Sequence, residues 1–330
     1  MGHRRHSQPR RGSLAYFPRG RAQSMEARIR TWPKINSEEP KLLGHAGFKA
    51  GCVQLVSIDD REKTPNAGKQ LVILGTVIVT PPMHIIGIRG YSKNNDGFHA
   101  AFDIFANDLP KHFSKIFKVK TEENAVAKAE KSLGKIHELV AIVGVIPRSA
   151  KLEQKKPYVF EVGVKGGEIE KQFAFVKDLL GKEVKIDQVF ESGTTVDTAA
   201  ITKGKGWEGP ITRWGVKKKQ HKSRKSVREV GSLGPISPQY VMYTVPRAGQ
   251  RGFHQRTEYD KRIMIVSNTA KNEFNVNPEG GFKHFGYVSG DFIILKGSVP
   301  GTYRRLIKLR SQIRNVPSKI TKPNILEVVV

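Results

Sequence analysis

Hydrophobic and polar positions alternate from Val53 to Ile58, with Val53, Leu55 and Ser57 set against Gln54, Val56 and Ile58, the pattern of a half-buried strand. A Gly-rich turn, Gly44 to Gly51, leads into it. Leu71 to Val79 is continuously apolar and reads as a strand buried on both faces, and a second apolar piece, His84 to Ile88, follows Pro81-Pro82. Between Thr121 and Glu138 the period lengthens, because Val126, Ala129, Leu133 and Ile136 fall on one helical face. Gly134 weakens that helix by about 1 kcal/mol, so it must lean on tertiary contacts. Leu139 to Ile146 predicts another strand, and Tyr158, Phe160, Val162 and Val164 alternate cleanly. Glu168 to Leu180 predicts a second helix, with Ile169, Phe173, Val176 and Leu180 inward and Gly181 as C-cap. Val184, Ile186 and Val189 supply one more short strand.

Strand-like pieces return at Ile263 to Val266, Tyr287-Val288, Phe292 to Leu295 and Ile325 to Val330, separated by Gly280-Gly281, Gly290 and Gly297. Many short strands split by two helices predict a mainly β protein, a closed or nearly closed barrel with helical insertions. The expected division is a basic extension over 1–40, a first barrel part over 41–202 with its helical insertion at about 121–181, an excursion over 203–262, and the barrel's remainder with a basic C-terminal segment over 263–330.

Charge sharpens that division. The net charge is +27, of which residues 1–32 carry +7, residues 203–262 carry +11 and Phe292 to Leu326 carry +8. The remaining 203 residues hold 26 basic and 25 acidic side chains, an ordinary near-neutral body. Basic arms on a neutral body point to phosphate neutralisation. The excursion holds fifteen Lys and Arg, eight Gly, four Pro and no apolar run able to close a core. Its docking partner is therefore expected to be a polyanion. Run out and back as a finger of about thirty residues each way, it reaches at most roughly 100 Å at ~3.3 Å per residue.

The candidate chemistry follows from residue type. Lys217, Lys218, Lys219, Lys222, Arg224, Lys225 and Arg228 are phosphate neutralisers, with Lys203, Lys205, Arg213, His221, Arg247, Gln250, Arg251 and Arg256 along the same excursion. Arg4, Arg5, Arg10, Arg11, Arg19 and Arg21 in the extension, and Arg304 and Arg305 near the C-terminus, extend the RNA-binding set. Trp207, Trp214 and His254 are candidates to stack on unpaired bases. Gly204, Gly249 and Gly252 are candidates to bring backbone N–H groups close to phosphate.

Other classes fit less well. Neither GxxxxGK[ST] nor GxGxxG occurs around Gly44 to Gly51, so close strand packing accounts better for those glycines. A nuclease needs convergent carboxylates or a nucleophile with its base, and the finger's acids are dispersed, with no HExxH, HxxxH or GxSxG. No catalytic residue, metal or cofactor is expected; His3 and His6 lack carboxylate or thiolate partners. Cys52 stands alone, which excludes an internal disulfide and a CxxC zinc site and fits a reducing compartment. The N-terminus lacks the apolar segment of a secretory signal, and no run approaches the ~20 residues of a membrane span. The polybasic arms carry Gly and Pro rather than an amphipathic helix, so a membrane surface is a poorer partner than RNA. A soluble RNA-binding factor built on the same kind of barrel is the alternative reading, and such a factor is expected to leave its RNA partner in high salt.

Five stretches carry a resemblance: GHRRHSQPRRGSLAYFPRGRA from Gly2, GHAGFKAGCVQLV from Gly44, TKGKGWEGPITRWGVKK from Thr202, VPRAGQRGFHQRTEYDKR from Val245 and DFIILKGSVPGTYRRLIKLR from Asp291. In order and spacing the chain resembles the universal third protein of the large ribosomal subunit in its archaeal/eukaryotic form. The resemblance implies a translation-protein-type β-barrel with a six-stranded Greek-key core. It also implies a long basic finger and an N-terminal arm entering large-subunit rRNA towards the peptidyl-transferase region. A non-enzymatic, early-assembling, cytoplasmic and ribosome-bound rRNA binder is implied with them. Its implied neighbours are the fourteenth protein of the subunit and the one called twenty-four-e. The family commonly places a Trp in a Gly-Pro-Trp-x-Pro-like finger tip, whereas this chain has Gly234-Pro235-Ile236-Ser237-Pro238, and Ile wedges but does not stack. A His modified in some relatives aligns with Arg224, three residues after His221, so that modification is not carried over.

Overall fold

The structure is a computed structural model that describes residues 9–35, 37–116, 124–223, 225–271, 273–314 and 322–330. The chain divides into two compact units, a body of Glu26–Ala200 and Arg256–Val330 and a second unit of Met1–Met25 and Ile201–Gln255.

The elements run in chain order as β1 (Lys41–Leu42), β2 (Gly44–Ile58), β3 (Gln70–Val79), β4 (Met83–Asn94), β5 (Gly97–Phe105), α1 (Ala125–Ser132), β6 (Glu138–Val145), β7 (Tyr158–Lys165), α2 (Ile169–Leu179), β8 (Glu183–Val184) and β9 (Thr195–Ile201). There follow β10 (Trp207–Glu208), α3 (Pro210–Trp214), β11 (Gly249–Gln250), β12 (Gln255–Asn268), β13 (Asp291–Lys296), β14 (Leu306–Ser311) and β15 (Ile325–Val329). The protein is mainly β with few helices.

Two sheets build the body. One has the order β1-β7-β6-β4-β5, with β8 added to β4. The other has the order β14-β9-β12-β13-β3-β2-β15, and β14 also pairs β2, so six of its strands form a closed circuit of pairings. The C-terminal strands β13 and β14 pair antiparallel with β3 and β2, completing a sheet begun more than 200 residues earlier. Five strands of the circuit share one apolar cluster: Ile78 from β3, Val196 from β9, Ile263 from β12, Ile293 and Leu295 from β13, and Ile307 and Leu309 from β14. A larger cluster draws on both sheets and on α2, including Phe48, Leu55, Ile85, Leu139, Val143, Val162 and Phe173.

Several local expectations need correction. Gly44 to Gly51 is strand rather than turn, because its glycines face crowded neighbours. A Cβ at Gly44 would meet the Trp32 ring at 3.0 Å, one at Gly47 the Val79 carbonyl at 2.5 Å, and one at Gly51 the Phe282 ring at 2.1 Å. Close packing is what these residues provide. The apolar run Leu71 to Val79 is fully buried only from Gly75 onward; Val72 and Leu74 lie on the outer face. The first predicted helix is α-helical over Ala125–Ser132 and tightens to a 3-10 turn at Leu133–Lys135, while its expected start at residues 121–123 lies outside the described residues. In the stretch 184–189 only Val184 belongs to a strand, and Ile186–Gln188 is a 3-10 turn. Tyr287-Val288 is not a strand: Val288 is fastened by the Asn277 side chain, which accepts its N–H at 2.8 Å and donates to its carbonyl at 3.1 Å.

The basic C-terminal segment also hides a core strand. All of Leu306 to Arg310 is buried on β14, and its two charges are consumed internally. Lys308 meets Glu26 at 2.6 Å, and Arg310 meets Asp197 at 2.5 Å and donates to the Thr31 carbonyl at 2.7 Å. Burial lowers the Lys308 pKa, and Glu26 partly restores it. Residues 26–33 are thereby strapped to the body, with Trp32 seated on Gly44 and Gly163, although 9–35 contain no helix or strand.

Candidate nucleic-acid interface

The second unit is assembled around Trp214. Pro210 opens α3 and Gly215 closes it at φ +68°, where its N–H donates to the Ile211 carbonyl. This short helix delivers Arg213 and Trp214 against the returning chain. β10 and β11 pair Trp207 with Gln250 and Glu208 with Gly249, bringing the two ends of the finger together. Arg213 donates from Nε to the Gln250 carbonyl and from Nη1 to the Arg247 carbonyl, each at 3.0 Å. Trp214 Nε1 donates to the same Arg247 carbonyl at 2.8 Å. Partial burial lowers the Arg213 pKa, as desolvation of a cation must.

The N-terminal arm packs onto this frame. Phe17 stacks on Trp214 with centroids 5.5 Å apart and 18° between planes, and the Arg19 guanidinium lies 3.8 Å from the indole centroid. Gly12, at φ +73°, is pressed against the same ring; a Cβ there would fall 2.4 Å from it. Arg11 donates to the Gly215 carbonyl at 3.0 Å, Ala22 N–H to the Phe253 carbonyl at 2.8 Å, and the His254 ring bonds the Gly20 carbonyl at 2.9 Å.

The sequence candidates thus separate by position. Trp214, only 6% exposed, is the hub of the unit rather than an open stacking surface, because Phe17, Arg19 and Gly12 cover it. His254 is likewise half-buried and engaged, whereas Trp207 is 78% exposed. Gly249 and Gly252 are used for internal packing: a Cβ on the first would meet the Arg213 guanidinium at 2.8 Å and on the second the Lys203 carbonyl at 2.0 Å. Arg251 pairs with Glu208 at 2.8 Å, and the Gln250 amide bonds the Gly252 carbonyl at 3.0 Å.

Open positive charge lies elsewhere in the unit. Arg10, Arg11, Arg21, Lys203, Lys205, Lys217, Lys218, His221, Lys222, Lys225, Arg228 and Arg247 are exposed, while Lys219 is half-buried and 3.5 Å from Glu229. The tip residues Gly234, Pro235, Ile236 and Pro238 sit in a fully exposed run, with Ile236 at 91%. In the body, Arg304 is exposed at φ +64°, Arg256 and Arg305 are half-buried, and burial lowers the Arg305 pKa. Arg4, Arg5 and Arg224 lie outside the described residues. Among the described residues no three His, Cys, Asp or Glu side chains gather to hold a metal ion.

Phe17 and Tyr243 stand out in the sequence only as apolar handles of the arm and the finger and not as RNA-binding candidates; their rings meet edge to face at 5.7 Å beside Trp214. The signal for them is no more than isolated aromatics in a basic, Gly/Pro-rich context.

The sequence model of one family, described as Ribosomal protein L3, matches residues 1–329. The chain belongs to the ribosomal protein L3 family. It is 40% identical over 335 residues to the large ribosomal subunit protein uL3 of Methanococcoides burtonii, covering 99% of this chain and 97% of that one. It is 37% identical over 327 residues to the uL3 protein of Methanothermobacter thermautotrophicus, covering 97% and 96%. With the uL3 protein of Methanococcus aeolicus it shares 39% identity over 331 residues, covering 99% and 98%. Similarity at this coverage takes in the ribosomal protein L3 body, the finger and the described part of the arm alike.

Proposed function

We propose that this member of the ribosomal protein L3 family binds large-subunit rRNA directly through its arm and through the finger of residues 203–262, early in subunit assembly. As a member of its family it is a cytoplasmic, ribosome-bound structural constituent of the large ribosomal subunit and not an enzyme. The finger is the rRNA-penetrating element of this reading, directed towards the peptidyl-transferase region, with Gly234 to Pro238 leading.

The observation that carries the proposal is how positive charge is disposed. In the body, Arg89 is paired with Asp103 at 2.6 Å and Glu161 at 2.7 Å, and Lys308 and Arg310 each have a carboxylate partner. In the finger, Lys217, Lys218, Lys222, Lys225 and Arg228 stand exposed with no carboxylate partner among the described residues. A surface of that kind repels itself until counter-charge arrives, and RNA phosphate supplies it.

The translation-protein-type barrel with a six-stranded Greek-key core belongs to the same proposal. Its support is the six-strand circuit of pairings and the apolar cluster shared by five of those strands. The fourteenth large-subunit protein and twenty-four-e are proposed as neighbours on the strength of the family resemblance. Sucrose-gradient fractionation tests constituent against factor: a constituent stays with large subunits after a high-salt wash, and a soluble factor moves to the top of the gradient.

A further inference from the structure

Two cavities in the finger unit share a wall. The first, about 350 Å³, is lined mainly by Phe17, Trp214, Val241, Met242 and Tyr243, together with Arg213 and Arg247. The second, about 510 Å³, is basic, with Lys219, Arg228 and Arg247 on its lining and Glu229 as its one acid. Arg247 belongs to both. Its backbone is fixed, since its carbonyl accepts from both Trp214 Nε1 and Arg213 Nη1, while among the described residues its guanidinium has no hydrogen-bond partner. The side chain is therefore anchored at its root and open at its tip.

The two linings match the two halves of a nucleotide. Tyr243 is 72% exposed and stands edge-on to Phe17, which leaves a ring face open for a planar ligand. A cavity of about 350 Å³ is within the range that holds small organic ligands. Lys and Arg grip phosphate, and Arg does so with two parallel N–H groups.

We propose that the two cavities form one site for a single unstacked RNA nucleotide. Its base lies against Tyr243 and Phe17, and its phosphate is held by Arg247 with Lys219 and Arg228. The inference rests on the rRNA reading above and deepens it, because it requires a single-stranded segment at this point. In a duplex the bases are stacked and paired, and their faces cannot enter the aromatic cavity.

The test uses the full chain and a ten-nucleotide oligoriboadenylate carrying one central 2-aminopurine, alone or annealed to oligouridylate. The single strand is expected to bind more tightly than the duplex, with 2-aminopurine fluorescence quenched on binding. Tyr243→Ala, at an exposed position, is expected to abolish the quenching and weaken single-strand binding about tenfold, the size of one base–aromatic stack. Tyr243→Phe retains both. Arg247→Gln retains the quenching but makes the salt dependence of binding shallower by about 0.7 in log–log slope. Equal binding of both probes without quenching, or undiminished quenching in Tyr243→Ala, overturns the inference; if large-subunit rRNA is still bound with steep salt dependence, the rRNA reading stands. A full chain that binds neither probe nor rRNA overturns both.

Discussion

Arg310 on β14 and Asp197 on β9 meet at 2.5 Å inside the body, with 9% and 1% of their side chains exposed. Asp197 also accepts the N–H groups of Asp260 at 3.1 Å and Ile313 at 3.3 Å, so one carboxylate ties three segments together. Removing it leaves a buried guanidinium without its counter-charge. Asp197→Ala is expected to lower stability by about 3–5 kcal/mol, read by urea unfolding; a loss below about 1 kcal/mol would show that the pair is dispensable.

Two glycines of this chain predict opposite signs. A Cβ at Gly47 would sit 2.5 Å from the Val79 carbonyl and 2.7 Å from the Ile78 side chain, within the β2–β3 pairing. Gly47→Ala is expected to destabilise by roughly 2 kcal/mol or more, as overpacking does. Nothing lies within 4 Å of a Cβ at Gly134. Gly134→Ala is expected to stabilise by about 0.4–1 kcal/mol through the unfolded chain. Thermal unfolding of the two variants side by side checks both signs.

His45 supplies a pH dependence. The ring is fully buried on β2, bonded through Nδ1 to the Ala46 carbonyl at 2.9 Å, with Nε2 unpartnered. Burial pushes its pKa down from 6.5 to about 4. As pH falls from 6.5 towards 4 the unfolded chain takes up a proton that the folded chain refuses, so stability falls across that window, by about 3 kcal/mol in all. Between pH 7 and 8 the group contributes no slope. His45→Leu is expected to remove this component, and unfolding midpoints measured from pH 7 to pH 4.5 would expose a variant that keeps the same slope.

Trp214 joins arm to finger within its unit, so its loss is expected to free both. Trp214→Ala removes the Phe17 stack, the Arg19 contact and the bond to the Arg247 carbonyl. A cost of about 3–5 kcal/mol follows for that unit, and tryptic cleavage after Arg11 and Arg19 is expected to accelerate. Trp214→Phe keeps a ring for Phe17 and is expected to lose about 1 kcal/mol with the hydrogen bond. Unchanged cleavage in Trp214→Ala would mean that the arm is held by other contacts.

What can be read from residues alone tracks where side chains report their own burial. The alternation at Tyr158 to Val164 and the helical face of Ile169, Phe173 and Val176 are visible because one face of each element is buried and the other is not. β14 is hidden in the sequence because Lys308 and Arg310 look like surface charge, and their partners Glu26 and Asp197 are far away along the chain. β9, Thr195–Ile201, carries too little contrast between its faces to show a period. In the finger, the charge run is legible as a group. The separation of Trp207 from Trp214 is not, since exposure there depends on Gly12, Phe17 and Arg19, nearly 200 residues earlier.

The most direct test of the central claim is binding of the full chain to large-subunit rRNA across a salt series. The comparison is a variant with Lys217, Lys218, Lys222, Lys225 and Arg228 replaced by Gln. If these exposed side chains neutralise phosphates, the slope of log K against log salt becomes shallower by about 3 to 5, at roughly 0.7–0.9 for each phosphate no longer neutralised. An unchanged slope and affinity would contradict the account and shift the rRNA-binding surface to the arm or the body.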